Sequence, residues 1–113
     1  MTDKRVFTYD EALASFPRVR QLTVGAVRQV EALYNQVQSR EEGEERRAQL
    51  EAAVQEIVRQ WTAHVTALGC EVKGLWLVDW DNGDGYYCWR YPEESISHLH
   101  GYDEGFAGRE RIH

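Results

Sequence analysis

From Pro17 the apolar positions run Val19, Leu22, Ala26, Val30, Leu33 and Val37, in steps of three and four. That spacing keeps them on one face of a helix. A second run, Leu50, Val54, Ile57, Trp61, His64 or Val65, and Leu68, has the same rhythm. Between the two lies SREEGEERR, charged, free of apolar residues and centred on Gly43, as suits a short helix-to-helix turn. The pattern predicts an antiparallel helical hairpin that closes at Gly69, where a C-terminal cap belongs. Ahead of it, Thr8 and Glu11 have the S/T-x-x-E spacing in which each side chain satisfies the other's backbone N–H, so a short helix starts there. Pro17 cannot donate to a continuing ladder but suits the first turn of a new helix, and a bend is expected near Ser15 and Phe16.

After Gly69 the pattern changes. EVKGLWLVDW and YYCWRY are rich in aromatic and branched residues, and DNGDG between them contains both Asn-Gly and Asp-Gly. These predict two antiparallel strands joined by a tight turn. YPEE supplies a second turn, and Ser95 to His100 a third strand ahead of a glycine-containing tail. The expected fold is therefore α+β. An N-terminal antiparallel helical hairpin (a short helix plus two long helices, about residues 8–68) precedes a small three-stranded antiparallel β-meander and an ordered tail (about 70–113), all in one domain over 1–113. The helices should pack on the sheet. A hairpin of about 20 residues a side reaches roughly 30 Å, further than a strand of five or six residues covers. Part of the apolar stripe should project, and a homodimer in which two hairpins cover each other is expected.

The chain has 113 residues, 42% of them hydrophobic, with four Trp, enough for one modest core. Its formal charge of −6 is uneven: residues 1–68 carry nine Lys/Arg against ten Asp/Glu, and residues 69–113 four against nine. Phosphate backbones are held by clustered Lys and Arg, so nucleic acid is not an expected partner. No apolar run approaches the roughly 20 residues that cross a bilayer, and the first residues lack the apolar core of a signal peptide, so a cytoplasmic protein without membrane contact is expected. Cys70 and Cys88 form neither a CxxC pair nor a dense framework, and read as free thiols.

Three C-terminal segments, GLWLVDW, YYCWR and LHGYDEGFAGRERI, together with the opening FTYDEALASFPRVRQL, resemble the bacterial family catalogued as domain of unknown function (DUF) 2203. The resemblance spans nearly the whole chain and is most specific over residues 75–109. It implies a helical N-terminal half followed by a small β region, and it implies no activity. The family's Trp-His followed by an acidic residue is here Leu99-His100-Gly101, so only the histidine matches.

Candidate chemistry gathers in SHLHGYDEGFAGR, residues 97–109. His98 and His100 are two apart, so on an extended strand both imidazoles point to one side, roughly 7 Å apart along the chain. Such a pair can hold a divalent transition metal if a third ligand joins it. Asp103 is the first candidate, with Glu104, His64, Cys88 and the terminal His113 as further ones. The plainer alternative is polar side chains on a half-solvated strand, bonded to Asp and Tyr neighbours. His64, in the apolar stripe three after Trp61, reads as a satisfied core or interface histidine. GFAGR suggests a backbone curve for a small anion with Arg109 as counter-charge. Its alternative is an ordered tail in which Phe106 plugs the core and Arg109 pairs with a nearby carboxylate. Trp76, Trp80, Tyr87, Trp89 and Tyr91 read as cross-strand core pairs, Cys88 as a small buried residue, and DWDNGDG as a turn without the closing Glu of a calcium loop.

Three functional readings follow. The first is a non-enzymatic, homo-oligomeric protein, with no cofactor, whose helical hairpin is an assembly or protein-partner surface. The alternative is a metal-binding protein, as an enzyme a hydrolase, with its site around the H-x-H. Small-anion binding at the tail is the third.

Overall fold

The computed structural model describes residues 5–38 and 43–112, and the side chains of Val37 and Gln38 lie outside the description. Two long helices, α1 (Tyr9–Gln38) and α2 (Glu44–Ala67), precede five strands: β1 (Glu71–Gly74), β2 (Leu77–Asp81), β3 (Gly85–Arg90), β4 (His98–Gly101) and β5 (Glu110–Arg111). The strands form one antiparallel sheet in chain order. The class is α+β.

The capping box forms: Thr8 N–H donates to Glu11 Oε1 at 2.8 Å, and Glu11 N–H to Thr8 Oγ1 at 3.1 Å. It starts α1 itself, however, and the short separate helix and the bend at Ser15 and Phe16 are both absent. α1 runs through Pro17. The missing N–H costs one ladder bond to the Leu13 carbonyl, but Pro17 is exposed, so that carbonyl can face water. Ala12 and Phe16 before it, and Val19 and Thr23 after it, are all buried in the same interior, and packing on both sides holds one helix across the proline. α2 starts after Gly43 and ends at a left-handed Gly69, φ +93, as the sequence implies. The rest of the charged tip, residues 39–42, lies outside the described residues.

The three-stranded meander is corrected to five strands. EVKGLWLVDW is not one strand, because Trp76 adopts φ 59 and folds the chain back on itself between β1 and β2. Its indole lies edge-on to that of Trp61, 4.9 Å away, and this contact anchors the turn on α2. DNGDG makes the β2–β3 turn, with the Asn82 side chain accepting the N–H groups of Asp84 and Gly85. The third expected strand begins at His98 rather than Ser95, and the tail adds β5, pairing Leu99 with Glu110.

The core lies between the helices and one face of the sheet. Phe16 meets Trp89 edge-on at 5.2 Å and Trp80 at 6.5 Å. The indole N–H groups stay satisfied: Trp61 donates to Thr23 Oγ1, Trp80 to Ser15 Oγ and Trp89 to the Glu93 carbonyl. Alternation places Val78, Trp80, Tyr87 and Trp89 toward the helices, and therefore Asp79, Asp81, Tyr86 and Cys88 toward the opposite side. That back face is covered by the tail after β4. Among the described residues, no helix is long and apolar enough to cross a membrane.

Candidate metal centre on the back of the sheet

Register brings the polar residues of the back face together. Asp79 of β2 stands opposite Cys88 of β3, which stands opposite His98 of β4; His100 follows two residues later, opposite Tyr86. Among the described residues, Asp79, Cys88 and His100 each offer a ligand atom, and these three atoms lie within 4.8 Å of one another. All three residues are buried, at 1%, 0% and 5% exposure.

The hydrogen bonds orient the histidine. Its Nδ1 is 2.8 Å from the Gly101 carbonyl, which can only accept, so Nδ1 carries a proton. Its Nε2 lies 2.9 Å from Asp79 Oδ2, and one proton is held between those two atoms. The other carboxylate oxygen, Asp79 Oδ1, is buried without a hydrogen-bond partner, an arrangement that normally costs free energy. Burial pushes the Asp79 carboxyl above its ordinary range, with a weak hydrogen bond from the Cys88 thiol and the charge and hydrogen bond of His100 partly offsetting it. The Cys88 thiol is pushed up to about 12, first by burial and then by the Asp79 charge, against the opposing pull of Arg109. At neutral pH it is a thiol, and a buried thiol is a poor nucleophile.

The tail closes over this cluster. Arg109 forks onto Glu93 at 3.0 and 2.8 Å, and its guanidinium reaches 4.0 Å from Cys88 Sγ. Tyr102 donates its hydroxyl to Asp81 at 2.6 Å, and Glu104 accepts the Gly101 N–H at 2.8 Å. Gly85 permits the close crossing of β3 and β4: a methyl there would meet the His100 carbonyl oxygen at 2.5 Å. A cavity of about 350 Å³ reaches Asp79 and His100 from the side, walled by Lys73, Leu77, Tyr86 and Phe106 among others.

Among the described candidates read from sequence, only His100 and Cys88 join this cluster. His98 shares the face but lies beside Ser97 Oγ, at 3.1 Å, and 3.8 Å from Glu93 Oε2. Asp103 is exposed beyond β4, and Glu104 caps the turn at Gly101 instead. His64 is exposed on α2, in a groove between the helices with Arg18, Gln60 and Trp61. His113 lies outside the described residues. At GFAGR, Phe106–Gly108 is a single 3-10 turn and the Arg109 fork is engaged by Glu93, but Phe106 does not plug the core: it is 39% exposed, its ring beneath Arg109. Asp79 was missed. Its one signal is an acid between Val78 and Trp80, on the face of β2 turned away from the helices.

A neutral imidazole whose Nδ1–H is held by a carbonyl presents Nε2 as a ligand, the second-layer pattern usual for metal-bound histidines. Nitrogen, thiolate and carboxylate together suit a borderline transition ion such as Zn²⁺ and not Mg²⁺ or Ca²⁺, which take oxygen. Asp79 Oδ1, with no partner at ordinary hydrogen-bond geometry and only the weak Cys88 thiol acting on its carboxylate, adds a poorly satisfied acceptor, so the residues present fit such an ion. The family model described as an uncharacterized conserved protein, DUF2203, matches residues 5–112. No curated protein and no solved structure matches the chain.

Proposed function

The chain belongs to the DUF2203 family of uncharacterised conserved proteins, and from its own geometry we propose that it binds one divalent transition metal, of the zinc class, through Asp79, Cys88 and His100. One observation carries this reading. Three donor atoms of three kinds, from three adjacent strands, converge within 4.8 Å in a buried site where Asp79 Oδ1 meets no donor at ordinary hydrogen-bond geometry. A polar core kept only for packing would be expected to satisfy its acceptors internally. Bound there, the ion would supply a Lewis acid beside the cavity, the chemistry that hydrolases use to activate water. The chain's own part is orientation: the Gly101 carbonyl fixes the His100 ring, and Glu93 holds Arg109 next to the sulfur.

The test is elemental analysis of tag-free protein by plasma mass spectrometry after incubation with zinc and desalting. Near-stoichiometric metal is expected in the wild type, His98→Ala and Asp103→Ala, with loss in Cys88→Ser and His100→Gln whose far-ultraviolet dichroism is unchanged. Metal retained in both of the latter, or none in the wild type, would overturn the proposal.

A second reading, assembly through the helical hairpin, has its own support. No described side chain of residues 28–36 or 43–60 is buried, although Val30, Leu33, Leu50, Val54 and Ile57 are half-buried and apolar. Covering that stripe with a second copy would hide it from water, and mass in solution tests this.

A further inference from the structure

The cavity beside the metal centre separates two kinds of zinc site. Structural sites are closed by four protein ligands, whereas three-ligand sites keep a position for an exogenous molecule. Here three ligands converge, and a space of about 350 Å³ is lined by two of them, Asp79 and His100. That volume falls in the range of small-molecule sites.

Its lining is asymmetric. Leu77, Tyr86 and Phe106 provide apolar and aromatic wall, and beyond the ligands Asp79 and His100 the charged side chains are Lys73 and Glu104. Glu104 is engaged: its Oε1 accepts the Gly101 N–H, and its carboxylate packs where a Gly108 side chain would stand. Lys73 is only partly engaged. Its ammonium lies 3.0 Å from Glu71 Oε1 and 3.3 Å from the Tyr86 hydroxyl, above the Tyr86 ring. An ammonium has three donors, and these contacts use two. The cavity thus combines a metal-facing floor, an apolar wall and a spare cationic donor.

We infer that this cavity takes a small carboxylic acid with a flat apolar body, its carboxylate directed to the metal's open position and to Lys73, and its body against Leu77, Tyr86 and Phe106. The inference rests on the metal reading above. An anion is drawn to both the metal and Lys73, and a ring gains from apolar burial that a methyl group cannot match.

The experiment uses the full chain loaded with Co²⁺, whose visible bands report its coordination, titrated with benzoate and with acetate. Benzoate should shift the bands and bind about tenfold tighter than acetate. Leu77→Trp, which fills the cavity from the wall next to Asp79 without removing a ligand, should keep the cobalt bands and lose the benzoate response. Lys73→Ala should weaken benzoate several-fold and leave cobalt uptake unchanged. Cobalt bands that benzoate does not move, or moves equally in Leu77→Trp, would overturn this inference and leave the metal reading standing. Absence of cobalt bands in the wild type would overturn both.

Discussion

Asp79 is a costly residue to place where it stands, 1% exposed between Val78 and Trp80 on the strand. Its cost is met on one oxygen by His100, and the other has no partner at ordinary geometry, with only the weak Cys88 thiol acting on the carboxylate besides. A metal ion would resolve that imbalance while displacing protons, one from the Cys88 thiol and one held between Asp79 and His100. Zinc affinity should therefore rise with pH, with about two protons released per ion as measured by calorimetry in buffers of different ionisation enthalpy. Arg109 and Glu93 serve beside them as a clamp. Arg109→Ala should lower stability by roughly 2–3 kcal/mol in urea unfolding, because it leaves Glu93 partly buried without its fork. Burial pushes the Glu93 carboxyl up, but bonds from Arg109 and the Arg90 N–H, with the Arg109 and His98 charges, outweigh it and hold the group below its ordinary range. A depressed carboxyl stabilises the fold above its unfolded value, and the contribution is lost as pH falls through the folded one. Acid unfolding of Glu93→Gln should accordingly show a shallower pH dependence than the wild type.

At the scale of elements, the β3–β4 crossing matters most. Gly85 pairs with Gly101, and a methyl on Gly85 would collide with backbone, which cannot swing away as a side chain can. Gly85→Ala should cost roughly 1–3 kcal/mol in thermal or urea unfolding, and should also weaken metal binding by shifting the His100 carbonyl. Much of this level was legible in the sequence. The capping box at Thr8, the two apolar stripes, the glycine end of α2 and the DNGDG turn are local signals and lie where local chemistry puts them. Pro17 and Trp76 were not legible, because in both cases tertiary packing overrides the local preference: buried neighbours hold α1 across the proline, and Trp61 anchors a turn at Trp76. The site divides in the same way. His100 stood out in the H-x-H, but Asp79 lies 21 positions away, and only the register of three strands brings them together.

For the molecule as a whole, a 30-residue α1 sets the long dimension of 49 Å, and only its first part reaches the sheet. Among the described side chains, buried residues of α1 end at Val27 and those of α2 begin at Trp61. If a second copy covers the rest, light scattering should give about twice the 13.1 kDa of one chain, and Val54→Glu should return the monomer by placing a charge in the covered stripe. A monomeric wild type would remove the assembly reading without touching the metal centre, since the two lie on opposite sides of the sheet. The most direct test of that centre is X-ray absorption at the zinc edge of the loaded protein. The account predicts a single sulfur neighbour at about 2.3 Å with nitrogen and oxygen neighbours at about 2.0–2.1 Å, and loss of the sulfur signal in Cys88→Ser. A shell of nitrogen and oxygen alone in the wild type would contradict it.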